Sequence, residues 1–186
     1  ALRFSICLVL FAVARAVSVD ITHEFVVEPP QPWDYSHVCS IVELDDSSIL
    51  AVFQAGEGEG HEGLSIWGAT RDAATGTWSA PEVKVARDDN VCVMNPCISA
   101  DDAGDIHMCV HTGGSKRDKK CHTHFWTGMT SVSSDQGATF SAPADLPDGY
   151  LGCIKNKCIQ MSNGEFLCPS STESVDKIGI WESHME

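Results

Sequence analysis

Apolar residues in this chain come in short runs broken by polar stretches rich in glycine, aspartate and serine. Residues 41–44 and 49–53 flank a polar turn at 45–48. Residues 97–99 and 106–111 flank 101–105, and residues 158–161 and 165–168 flank 162–164. Each set reads as strand–turn–strand, because apolar runs bounded by Gly, Asn, Asp and Ser are hairpin signals. A further run follows each hairpin, at 64–70, 125–131 and 178–183. Nothing after residue 30 sustains a 3.6-residue apolar period, so the chain is predicted to be all-β, without a long helix.

Two phrases repeat. Cys92-Val93-Met94-Asn95-Pro96-Cys97-Ile98 and Cys153-Ile154-Lys155-Asn156-Lys157-Cys158-Ile159 share C-x-x-N-x-C-I, 61 residues apart. Thr77-Trp78-Ser79-Ala80-Pro81 and Thr139-Phe140-Ser141-Ala142-Pro143 are one phrase 62 residues apart. Two independent phrases at nearly one period mark internal repeats. The second of these follows Ser133-Ser134-Asp135-Gln136-Gly137-Ala138, completing S-x-D-x-G-x-T-[F/W], an Asp-box. Its Ser and Asp side chains can accept hydrogen bonds from nearby backbone N–H groups, and Gly137 supplies the positive φ that closes the turn. Asp135 therefore reads as structural rather than catalytic. The stretch from Thr70-Arg71-Asp72 to Gly76 is a worn version with one residue more.

Four-stranded units recurring at this spacing predict a β-propeller; a β-sandwich is the alternative use of such strands. Three units are visible, and the third stops at Glu186 before an Asp-box of its own. A propeller needs about four blades or more to close. The expectation is a partial propeller, roughly the first half of a longer protein. Ahead of it, Arg3 and an apolar run at 4–14, followed by small residues, read as a secretory signal over 1–18, too short to span a bilayer. Residues 19–33 form a lead-in and 34–186 the partial propeller. No membrane insertion is expected after signal removal, and the destination is extracellular or the secretory lumen. Loss of Cys7 leaves eight of the nine cysteines, an even number that suggests disulfides in an exported chain. Cys109 and Cys121 are placed to pin the loop at 112–120.

The formal net charge of −14 repels polyanions at long range, which excludes nucleic acid as a partner and leaves an anionic ligand dependent on a local basic pocket. Lys155-Asn156-Lys157 is the best such pocket. In extended backbone Lys155 and Lys157 share one side and Asn156 takes the other. Gly58-Glu59-Gly60-His61-Glu62-Gly63 fits G-x-G-x-x-G, but a strand rather than a helix follows, and Glu59 and Glu62 would oppose a pyrophosphate. It reads as a hairpin loop that carries acids. His107, Cys109 and His111 alternate along one strand face ahead of Cys121-His122-Thr123-His124. Imidazole and thiolate ligate zinc, yet this spacing matches no standard site, and no cofactor or metal is expected.

The Asp-box, H-x-C-S-I-V-E-L from His37, F-x-x-G-E-G-E-G from Phe53, N-P at Asn95, L-G-x-I-K-N-K at 151–157 and P-S-S-T-E at 169–173 together resemble the sialidase superfamily, in its BNR-repeat-like branch. The resemblance runs in order from about Pro32 to Glu186. It implies a six-bladed propeller in the full-length protein, and an exo-α-sialidase-like hydrolase of terminal acidic sugars on glycoconjugates. A non-catalytic carbohydrate-binding propeller is the alternative. Sialidases hold the substrate carboxylate with three arginines, whose guanidinium forks match it, and use a Tyr nucleophile with an acid/base Asp on a loop. Here Arg71, Arg87 and Arg117 stand in no triad context, and Tyr35 and Tyr150 do not align with the nucleophile. Glu59 or Glu62 is nearest the loop acid. Met94 and Cys158 replace the family's usual Trp and Pro. Because inner strands of a propeller converge on its axis, the starts of those strands are expected to line one cavity. The substrate-binding residues implied are His37, Asn95, Lys155, Asn156, Lys157 and Glu173.

Overall fold

The computed structural model describes residues 20–86, 91–113, 126–173 and 181–186. The signal segment, Arg87, Arg117, and the loop and His-rich stretch at 114–125 lie outside them. The described secondary structure is entirely β. Strands β1 (Tyr35–Glu43), β2 (Ile49–Gly56), β3 (Ser65–Arg71) and β4 (Glu82–Val85) form an antiparallel sheet in that order. Strands β5 (Val93–Ala100), β6 (Ile106–Thr112), β7 (Thr127–Ser133) and β8 (Ala144–Asp145) repeat the arrangement. These are two blades of a propeller, as the repeats predict.

The third unit is built from β9 (Ile159–Gln160), β10 (Phe166–Leu167), β11 (Pro169–Glu173) and β12 (Trp181–Met185). β9 pairs with β10 and β11 with β12. β10 and β11 are one run interrupted at Cys168, which exchanges backbone hydrogen bonds of 2.8 Å with Glu186. The unit is thus a three-stranded antiparallel blade.

Both T-[W/F]-S-A-P phrases occupy the same corner. The Ser79 N–H donates to the Thr70 carbonyl, and the Thr70 N–H to Ser79 Oγ at 3.0 Å. Ser141 and Val132 repeat the exchange, with the Val132 N–H on Ser141 Oγ at 3.0 Å. Within the Asp-box, Asp135 Oδ1 accepts from the Ser133 hydroxyl and the Thr139 N–H, each at 2.8 Å. Ser133 Oγ accepts the Gly137 N–H at 2.8 Å. The Thr139 hydroxyl and N–H and the Ser133 hydroxyl, all donating to one carboxylate, hold the Asp135 pKa down at about 2. The Asp-box also ties the blades together. Gln136 accepts the Asp45 N–H at 2.9 Å and donates to the Gly104 carbonyl at 3.2 Å, bridging the first turns of blades one and two.

Alternation along the strands divides the interior. Leu50, Val52 and Ile66 of blade one meet Ile98, Ile106, Met108, Val110 and Met129 of blade two in the main core. Full burial of each such side chain contributes about 1.5–3 kcal/mol. On the other face of blade one, Trp33 of the lead-in packs on Trp67 and Phe53, with ring centroids 4.5 and 5.9 Å away. Glu24 pairs with Arg71 Nε at 2.7 Å and fixes the lead-in to β3. No helix among the described residues is long and apolar enough to cross a membrane.

Gly137 carries the junction between Asp-box and core. Its φ is +79°, and a Cβ there would collide with Leu50 Cδ2. Gly137→Ala is expected to destabilise by about 2–4 kcal/mol, a strained backbone plus an overpacked core. Gly149, at φ +90°, is the control, since a Cβ there would meet no heavy atom within 4 Å. Gly149→Ala should cost only the backbone part, about 1–2 kcal/mol. Equal urea midpoints for the two variants would contradict this account of the junction.

Candidate functional site

β6 presents Ile106, Met108 and Val110 to blade one and His107, Cys109 and His111 to the third blade. At the end of that second face His111 is fully buried. Its Nε2 lies 2.9 Å from the Leu151 carbonyl, and its ring stacks obliquely on Trp126 with centroids 5.3 Å apart. Burial pushes its pKa down to about 4, and the Leu151 and Asn95 carbonyls offset this only in part. The imidazole is neutral at physiological pH and acts as a rigid wedge between blades.

On the first face, the same end of the sheet carries a polar chain. Gln54, 2% exposed at the end of β2, accepts the Asn95 N–H at 2.8 Å. Asn95 has φ +52° and sits where the β5–β6 register shifts, between Met94 and Cys97. This bulge turns its N–H out of the ladder toward Gln54. Gln54 Nε2 in turn lies 3.4 Å from the Tyr35 hydroxyl. Burial raises the Tyr35 pKa, opposed by the Gln54 bond and reinforced by Glu59, whose carboxylate faces the phenol. The structure therefore brings together Asn95 and Glu59, two of the sequence-predicted residues, through Gln54 and Tyr35.

The Lys155-Asn156-Lys157 segment is not extended. Asn156 N–H closes on the Ile154 carbonyl at 2.7 Å, with Lys155 at φ +62°, which makes a γ-turn. The shared side expected for the two lysines is thereby corrected: a reversal at Lys155 breaks the two-residue alternation. Lys157 donates to the Ile41 carbonyl of β1, whereas Lys155 and Asn156 line a cavity of about 380 Å³ with Trp126, Ser170 and His184. The Trp126 indole N–H is buried there without a hydrogen-bond partner, and Lys155 forms no ion pair among the described residues. His184 Nε2 is 2.8 Å from Glu186, whose carboxylate also accepts the Leu151 and Gly152 N–H groups at 3.0 and 2.7 Å. Burial raises the Glu186 pKa, but these bonds outweigh it and the net shift is downward.

His37 and Glu62 lie apart from this cavity. His37 lines a depression beneath the lead-in, beside Trp33 and Val27. Glu62 lines a smaller hollow with Trp33, Asp34 and Trp67. Glu173 ends β11, its backbone paired with Trp181. The single cavity expected from converging strand starts is thus divided among the described residues, because bulges at Val38 and Asn95 and the γ-turn at Lys155, all at positive φ, redirect each strand start separately. The Cys109–Cys121 pairing is also corrected: Cys109 is a free thiol packed against Cys97 and Cys153. Cys158 pairs with Cys168, and Cys92 is likewise in a disulfide. His107 is held by Asp101 Oδ2 at 2.9 Å.

Sequence reasoning missed Gln54, His111 and Trp126 as parts of the site. A polar residue within the apolar run 49–55 was a signal for the first, and a histidine in register with apolar neighbours for the second. Trp126 gave none.

Residues 47–186 match the BNR repeat-like domain. The chain belongs to that family. Among solved structures it is similar to the Hadza microbial sialidase Hz136, with TM-score 0.61 and 14% identity over 72% of this chain and 32% of that one. A protein of unknown function from Dyadobacter fermentans DSM 18053 gives TM-score 0.65 and 12% identity over 81% of this chain and 50% of that one. The NanB sialidase from Streptococcus pneumoniae gives 0.58 and 10% over 88% and 46%. At these identities the likeness is one of fold, and this BNR repeat-like chain spans a third to a half of the length of those structures. No curated protein matches it.

The His111 wedge generates a pH dependence. The unfolded chain protonates this histidine near pH 6.5 and the folded chain only near 4. Its contribution is therefore fully present above 6.5 and is lost as the pH falls toward 4. His111→Phe keeps the ring against Trp126 but removes the titration. Wild type should lose about 2 kcal/mol more than this variant between pH 7 and 4.5. Urea unfolding at both pH values measures it, and parallel losses would contradict it.

Proposed function

We propose that the protein is a secreted sialidase-like glycoside hydrolase acting on terminal acidic sugars of glycoconjugates. The described blades contribute an anion-holding cavity rather than a complete catalytic set. The observation that carries this reading is the cavity of about 380 Å³ at the third blade, which exposed Lys155 and Asn156 line together with Trp126 and Ser170. An acidic sugar would present a carboxylate to the lysine and a hydroxyl to Asn156, with the sugar ring against the Trp126 indole. Such a charge-assisted contact contributes about 1.5–3 kcal/mol. In this reading Glu59 is the acid on the loop, with Tyr35 beside it, while His37, Asn95, Lys157, Glu62 and Glu173 hold strands or rim positions.

A second reading, a non-catalytic carbohydrate-binding propeller, rests on a specific observation. Arg71, the sole arginine among the described residues, is engaged with Glu24 at 2.7 Å on β3, remote from the lysine cavity. No guanidinium fork among these residues is placed to hold a carboxylate.

The test is expression of the full-length reading frame, with two assays: hydrolysis of a fluorogenic sialoside and calorimetric binding of sialyllactose. Release with binding supports the hydrolase; binding without release supports the second reading. Lys155→Ala should weaken binding about tenfold to a hundredfold, while Lys157→Ala, with its lysine bound to a carbonyl, should leave it unchanged. Absence of both release and binding would overturn the acidic-sugar assignment.

A further inference from the structure

Five cysteines meet where blade two packs on the third unit. Cys97 of β5 and Cys109 of β6 are register partners across the sheet. Cys153 is buried beside them, its sulfur 3.9 Å from the Cys97 carbonyl. Cys158 and Cys168 form a disulfide that continues the β9–β10 register. The sulfurs of Cys109, Cys158 and Cys168 all lie within 4.8 Å of one another. A free thiol thus stands against an existing disulfide. Both line a mainly apolar cavity of about 270 Å³, with half-exposed Tyr150 in its wall, so solvent base and small thiols have a route to the sulfurs.

We propose that Cys109 is the nucleophile of an internal thiol–disulfide exchange site that converts the Cys158–Cys168 bond into a Cys109–Cys158 bond. The Cys109 thiolate attacks Cys158 Sγ, the Cys109–Cys158 bond forms as Cys158–Cys168 breaks, and the electron pair leaves on Cys168 Sγ. Cys168 then takes up a proton equivalent to the one Cys109 lost. One disulfide and one thiol remain on each side, so no oxidant or reductant enters. Cys168 is the leaving group because it is the more exposed sulfur of the pair, where a departing thiolate is better solvated. Cys153 is a positioning residue: packed beside Cys109, it favours the thiolate through hydrogen bonding, against burial and the Glu186 charge, which disfavour it. Exchange changes what the disulfide does. It holds a hairpin within the third blade before, and staples that blade to blade two afterwards.

The site is tested on the intact wild-type chain by incubation at pH 6 to 9, quenching in acid, alkylation of free thiols and mapping of disulfide-linked peptides by mass spectrometry. The expected result is a Cys109–Cys158 peptide whose rate of appearance rises up to about tenfold per pH unit below the thiol pKa. In Cys109→Ser, Cys158 should stay linked only to Cys168. In Cys168→Ser, oxidised glutathione should drive formation of Cys109–Cys158. A wild-type map in which Cys158 is linked only to Cys168 at every pH, with Cys109 alkylated throughout, would overturn the proposal whether or not either variant folds.

Discussion

Blade two is buried on both faces, and the rest of the structure depends on how β6 meets that constraint. A half-exposed strand alternates apolar with polar residues, whereas a central strand between packed blades must make both sets compatible with a dry interface. β6 does so by giving one face to Ile106, Met108 and Val110 and the other to His107, Cys109 and His111. The polar face is tolerated because its members find partners: His107 on Asp101, His111 on the Leu151 carbonyl, and Cys109 among sulfurs. Apart from Cys97 of β5, each partner belongs to a turn or to the third unit, so burial of β6 sets where that unit sits.

Turns complete what the strands begin. The Asp-box is closed internally by Asp135 and Ser133, but its outward residue Gln136 reaches the first turns of two blades at once. Lys84 adds a bond from β4 to the Ala138 carbonyl at 3.1 Å. A local motif therefore acts as an inter-blade clasp. The opposite end of the sheets is left to bulges, which free backbone N–H groups and side chains from the ladder. Asn95 sits at such a bulge and Lys155 at the γ-turn ahead of β9, and both contribute to the polar surroundings described above. A propeller uses the regular end for cohesion and the irregular end for recognition.

Charge sharpens this division. A chain with formal net charge −14 has little cationic surface, so the destination of each lysine carries information. Lys84 and Lys157 bind backbone carbonyls of neighbouring blades, while Lys155 stands over a cavity without an ion pair among the described residues. Two lysines two residues apart thus serve different ends, one holding the inner strands together and one facing a space that a ligand can enter.

The all-β class, the blade repeat, the Asp-box turn and the family resemblance were legible in the residues, because each rests on local chemistry: apolar runs, turn glycines and short side-chain-to-backbone bonds. The hairpin turns came out where expected for the same reason, whereas β1 and β5 begin at Tyr35 and Val93, well before the apolar runs that signalled them. Tertiary structure alone decided three things. It placed Lys155 and Lys157 on different sides, since a γ-turn depends on what the Ile154 and Asn156 backbone meets. It left Cys109 free and joined Cys158 to Cys168, since the β9–β10 register brings those two sulfurs together. And it made Gln54, His111 and Trp126 part of the site, since their roles come from partners 41, 40 and 15 positions away. Local patterns fix which strand a residue occupies; only the packing of one blade on the next fixes what its side chain faces.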